Sequence, residues 1–227
     1  MPSPRGRISV IREFETRLPQ PLRETFFSLK RPVDIQRYLD SLPYIGEERD
    51  RCPLDVMRDG QCHCLDGGLF AALALRRIGE PGLLIDLVPL QDASGQKLDD
   101  DHVLAVFRRY GRWGAVAKSN FPWLRYREPV YRNLRELVMS YFEVYYSLDS
   151  IKALRGYTRP FDIARLDDLN YPWDEAGAAK LYGKFYRRKS IPLISRQTEA
   201  LLEPVDQRAY DSGVLGVNMD WAYRPKH

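Results

Sequence analysis

The sequence predicts an α+β fold in which a buried helix packs on an antiparallel sheet, on three observations. Residues 61–79 carry apolar side chains at helical spacing, 83–90 form a short apolar run, and 102–108 with 112–119 bracket a Tyr-Gly turn. At 227 residues and 44% hydrophobic content, the chain is long enough to bury such a core without disulfides or metal.

Residues 1–30 contain Pro2, Pro4, Pro19 and Pro21 and read as an N-terminal arm with a strand or short helix. Met1–Arg7 is basic and lacks the apolar run of a secretory leader. No stretch approaches the length of a membrane span, so a cytoplasmic protein with no membrane partner is expected. Pro32-Val33-Asp34 opens a helical run through Leu39 that ends near Pro43. Residues 51–60 read as a short helix closed by Asp59-Gly60.

In the next helix Leu65, Leu69, Ala72, Leu73, Leu75 and Ile78 supply the apolar positions, and Gly79 supplies a C-terminal cap. Gly67-Gly68 inside it costs roughly 1 kcal/mol each relative to alanine, so another backbone is expected to approach closely there. After strand 83–90 comes a polar loop and then the hairpin, turning at Tyr110-Gly111. Residues 129–147 carry Val130, Leu134, Leu137, Val138, Tyr141, Phe142 and Tyr145 on one stripe, which predicts an amphipathic helix opened by Pro129. These elements make a core over 1–147 with its arm. Residues 148–227 are an aromatic, Pro-punctuated extension packed on the same domain, with one helix near 174–188.

The net charge is only +4, and Lys and Arg are scattered beside Asp and Glu, so no nucleic-acid stripe is present. The three cysteines, Cys52, Cys62 and Cys64, are odd in number and clustered, which fits free thiols in a reducing compartment. A Cys62-His63-Cys64 run cannot easily aim adjacent side chains at one tetrahedral zinc, so no metal and no cofactor are expected.

Cys64 opens the buried helix. A helix N-terminus presents unpaired N–H groups and partial positive charge, which favour a thiolate and a developing oxyanion. Burial as an inert cysteine is the competing reading. His102, at the start of a strand, is placed to take a thiol proton. Gln61 is a candidate oxyanion donor, although its spacing from Cys64 is short. Trp113, Trp123 and Tyr126 either line a substrate cleft or fill the core.

The string from Cys64 to Gly79, followed by a strand, a histidine opening a strand and Gly111-Arg112-Trp113 in a hairpin, resembles the transglutaminase-like superfamily over about residues 60–120. Over about 35–147 the chain is similar to uncharacterised microbial transglutaminase-like proteins, through Asp101-His102-Val103, Trp113-Gly114-Ala115, Lys118-Ser119-Asn120 and Pro129–Arg132 through Ser140-Tyr141-Phe142. The resemblance implies a papain-like α+β fold and Cys–His–Asp acyl-transfer chemistry. The chain departs from the pattern at Ala117, where the superfamily usually has the aspartate. A two-residue turn at Tyr110-Gly111 places Ser119 opposite His102, and a three-residue loop places Asn120 there. Asn120 is the first candidate for the third group, and Ser119, Asp101 and Asp86 are alternatives. Lys118 only donates and would repel an imidazolium. The expected function is a thiol-dependent hydrolase or acyltransferase acting on a peptide or an amide-bearing small substrate. The alternative is an inactive binding domain on the same scaffold.

Overall fold

The computed structural model describes residues 9–225, so Met1–Arg7 and His227 lie outside the described residues. The N-terminal arm is two helices, not a strand: α1 (Val10–Arg17), capped by the Ser9 side chain, and α2 (Gln20–Ser28). Phe14 and Phe26 meet edge to face at 5.1 Å, and Phe26 continues onto Phe70. Next come α3 (Pro32–Ser41), which buries Ile35 and Leu39, and α4 (Pro53–Asp59), ended by Gly60 in the left-handed conformation.

Helix α5 (Cys64–Arg77) is buried from Cys64 through Leu75. It packs on β2 (His102–Arg109), which pairs antiparallel with both β1 (Leu83–Pro89) and β3 (Arg112–Val116). The two glycines make this approach possible. A Cβ at Gly67 would lie 2.5 Å from Lys118 Cβ, and one at Gly68 would lie 2.7 Å from Val103 Cγ1. The hairpin turns at Tyr110 and Gly111, with φ of 49° and 76°, the two left-handed residues of a tight two-residue turn. Strand β3 stops at Val116, before the expected Ser119. The peptide of Ala117 is instead held by the Gln36 amide, which donates to its carbonyl at 2.9 Å and accepts from its N–H at 3.0 Å.

The helix expected over 129–147 is not continuous. Its first part is β4 (Arg127–Tyr131), where Pro129 sits on the sheet edge and therefore removes no ladder bond that matters. Asn133 then caps a short α6 (Leu134–Met139), followed by a 3-10 turn over Phe142–Val144. The later part of the apolar stripe is nonetheless buried, with Leu137, Val138, Tyr141 and Tyr145 packed on the sheet face opposite α5, while Val130 is exposed.

Beyond residue 147 the chain returns to the same sheet through β5 (Leu154–Thr158) and β6 (Phe161–Asp162), which both pair with β1. Helix α7 (Glu175–Phe185) follows, then β7 (Ser190–Pro192), which pairs with β5. Short helices α8 (Arg196–Glu199) and α9 (Gln207–Val214) come next, and a 3-10 turn over Met219–Trp221 follows them. The spatial order is β4-β3-β2-β1-β5-β7, with β6 beside β1. The molecule is therefore mixed α and β around an antiparallel sheet with a core on each face: α5 with Leu84, Val103, Ala105 and Phe107 on one, and Ile85, Leu104 and Val106 with the 134–145 segment on the other. Among the described residues no helix is long and apolar enough to cross a membrane.

Candidate functional site

Cys64 is the first residue of α5, and His63 before it is the cap. The His63 Nδ1 accepts from the Leu65 N–H at 3.3 Å, so Nε2 carries the proton and faces Asp66 at 3.2 Å and Asp50 at 3.4 Å. Burial pulls the His63 pKa down, but the two carboxylates outweigh it and hold it above the ordinary value. Both ring nitrogens of His63 are thus engaged away from the neighbouring sulfur. Asp50, His63 and Asp66 are the one group among the described residues with metal-ligating atoms all within 4.8 Å. They are already joined to one another, and Asp66 also accepts from the Arg51 N–H at 3.0 Å.

The Cys64 thiol donates to the Asp101 carbonyl at 3.7 Å, and the Val103 backbone N–H reaches the sulfur. The sulfur is therefore held against the peptide groups on either side of His102. Strand alternation aims the His102 ring to the same side as Leu104 and Val106, away from the α5 face. There its Nε2 lies 2.6 Å from the Leu124 carbonyl. A carbonyl only accepts, so Nε2 carries the proton and Nδ1 keeps its lone pair. Nδ1 has no hydrogen-bond partner among the described residues. Cys64 and His102 line one small pocket at the start of β2, together with Ser119, Asn120, Leu124 and Trp221. No direct hydrogen bond joins the two side chains.

Both groups rest neutral. Burial pushes the thiol well above its usual value, and Asp100 and Asp101 push it further, while the Val103 N–H opposes them. Burial drops the His102 pKa to about 4, against the pull of the Leu124 carbonyl. Cys52 and Cys62 are fully buried free thiols, both pushed up to about 12 by burial.

The remaining sequence candidates divide. Asn120 lines the pocket but does not hold the imidazole: its amide donates to the Asn218 carbonyl at 2.8 Å and accepts from the Asn218 N–H at 3.0 Å. Ser119 lines the pocket and accepts from the Phe121 N–H. Gln61 lies outside the two depressions that reach Cys64. Trp113 packs against the second core with Arg108 near its face, and Tyr126 stacks on Phe107, so neither lines the pocket. Ala117 is fully buried. The Leu124 carbonyl occupies the position expected of a side-chain orienter. A backbone atom has no residue identity to read, so nothing in the sequence marks it.

No family model matches the chain, and no curated protein does. Among solved structures it is similar to Legionella pneumophila LapG, at 15% identity and a TM-score of 0.34, over 49% of this chain and 73% of that one.

Proposed function

We propose that the chain is a thiol-dependent amide hydrolase or acyltransferase of the papain/transglutaminase-like type. Cys64 is the nucleophile and His102 the base. The observation that carries this reading is the shared pocket: a cysteine on the first turn of a helix, beside a histidine whose Nε2 is committed to a carbonyl and whose Nδ1 is left as an acceptor. The Cys64 sulfur attacks the amide carbonyl while its proton crosses the shared pocket to Nδ1 through a bridging water, because the ring projects to the sheet face away from α5. The imidazolium then gives that proton to the leaving amine, and water or a second amine resolves the thioester. The His63 side chain takes the Leu65 and Asp66 N–H groups, which leaves the Cys64 N–H at the start of α5 to face the developing oxyanion. Leu124 plays the positioning part that a side-chain amide plays in papain-like sites. Burial disfavours charge on both groups, so it opposes a preformed thiolate–imidazolium pair and favours proton transfer in step with attack.

The test is a fluorogenic peptide-amide panel assayed at pH 7. Cys64→Ala is expected to abolish hydrolysis with the circular dichroism unchanged. His102→Ala is expected to lower kcat/KM by about 10²–10⁴, as loss of a general base does. Hydrolysis that persists in Cys64→Ala refutes the nucleophile. The second reading, an inactive binding domain, is favoured by the raised thiol and by Ala117. It predicts no turnover of the panel and no acyl-enzyme adduct by mass spectrometry.

A further inference from the structure

A second depression, with Tyr186 in its lining, also takes in Cys64. One wall is the segment before α4, with Glu47, Glu48 and Asp50, and the other is the loop before β2, with Asp100 and Asp101. Three of these five carboxylates have ion-pair partners: Glu47 with Arg51, Asp50 with His63, and Asp101 with Lys97. The partners are themselves overcommitted. Arg51 also serves Asp59 at 2.8 Å and lies 3.9 Å from Asp66. Glu48 and Asp100 have no ion pair among the described residues. The depression thus holds more negative than positive charge.

An independent feature lies behind it. Asp86 is 6% exposed, and its Oδ1 has no hydrogen-bond partner among the described residues. Its cross-strand neighbour Val103 packs on Gly68, so Asp86 projects to the α5 face, where it interacts with Asp101, Lys97, Asp100 and the Tyr186 hydroxyl. A buried carboxyl oxygen without a partner is costly, and an ammonium or guanidinium N–H brought close behind Asp100 and Asp101 would satisfy it.

We infer that this acidic trough selects substrates carrying a positive charge beside the amide that Cys64 attacks, such as peptides with Lys or Arg adjoining the scissile bond. The inference rests on Cys64 being the nucleophile. A positive group seated between Glu48 and Asp100 offsets the carboxylates that oppose ionisation of the thiol, so it assists attack as well as binding. A negative or neutral group does neither.

The test separates charge selection from catalysis by using two thiol reagents of opposite charge on the full chain: trimethylammonioethyl methanethiosulfonate and sulfonatoethyl methanethiosulfonate. In each, the Cys64 sulfur displaces methanesulfinate and forms a mixed disulfide, and peptide mapping assigns the site. Rates are normalised to those with a neutral free thiol. The cationic reagent is expected to react about tenfold faster or more at low salt. The ratio should fall several-fold in Glu48→Gln/Asp100→Asn, and also at about 0.5 M salt, where screening is within a few ångströms. It should persist in His102→Ala, so failure of the catalytic reading and failure of charge selection give different results. Rates within twofold of each other, a ratio indifferent to the double variant, or no modification of Cys64 by either reagent overturns the inference. On the peptide-amide panel, Lys- and Arg-bearing members should then exceed their Glu counterparts in kcat/KM, and equal values overturn it.

Discussion

Asp86 and His102 lie one position apart across the β1–β2 ladder and Cys64 opens the helix packed on it, and burial moves each toward its uncharged form. For Asp86 the carboxyl is pushed to about 8 by burial first and by Asp101 next. An unfolded aspartate titrates near 3.9, so between about pH 4 and 8 the folded chain holds a proton that the unfolded chain has lost. Asp86 therefore favours the folded state fully only below about pH 4, and that contribution is lost as pH rises toward 8. His102, lowered to about 4, works in the opposite sense: below about 6.5 the unfolded chain takes a proton that the folded chain refuses. Asp86→Asn leaves the histidine contribution in place and removes only the first. Urea titrations at pH 4.5 and pH 8 should show the wild type losing stability relative to Asp86→Asn on going to the higher pH, by on the order of a few kcal/mol. Parallel profiles would refute the buried, unpartnered carboxylate.

At the scale of the element, α5, which begins with the proposed nucleophile, can come close to the sheet. Alanine is the better helix former by about 1 kcal/mol per position, but Gly68→Ala would drive a methyl into Val103 Cγ1. Overpacking of this kind costs about 1–3 kcal/mol, so Gly68→Ala is expected to destabilise despite its propensity gain. Gly183, on α7, has no tertiary neighbour among the described residues within 4 Å of where a Cβ would sit, so Gly183→Ala is expected to stabilise by about 0.5–1 kcal/mol. Opposite signs in denaturant midpoints check the pair, and equal signs would show that α5 is not clamped to β2. Helix α5 and the β2–β3 hairpin were legible because apolar spacing and the Tyr110-Gly111 turn are local signals. Residues 129–147 were misread for a related reason: the stripe was correct about burial from Leu137 to Tyr145 but not at Val130, and Pro129 on an edge strand and the Asn133 cap divided it. Both features serve a strand and a helix equally well in sequence.

Across the whole molecule, the end of the described chain crosses the pocket. Besides the Asn120–Asn218 pair, the Tyr223 hydroxyl donates to the Lys97 carbonyl at 3.0 Å and Trp221 packs against Gly46. Trp221 and Tyr223 line the pocket that holds Cys64, which is itself only 8% exposed. A chain ending after Gly216 keeps α9 and removes this strap. Its Cys64 should react with iodoacetamide about threefold faster or more, since opening a segment held by few contacts costs little and exposes what lies beneath. An unchanged rate, with the circular dichroism preserved, would show that the strap does not control access. The sequence by itself determined the α+β class, the buried helix that begins at Cys64 and the strand that begins at His102, because periodicity and turn chemistry act between residues a few positions apart. Only the tertiary structure decided that Leu124 holds the imidazole, that Asn120 is spent on Asn218, and that carboxylates from two separate segments converge beside the sulfur. Those contacts join distant segments through backbone atoms and shared burial, and neither leaves a mark in residue identity or spacing.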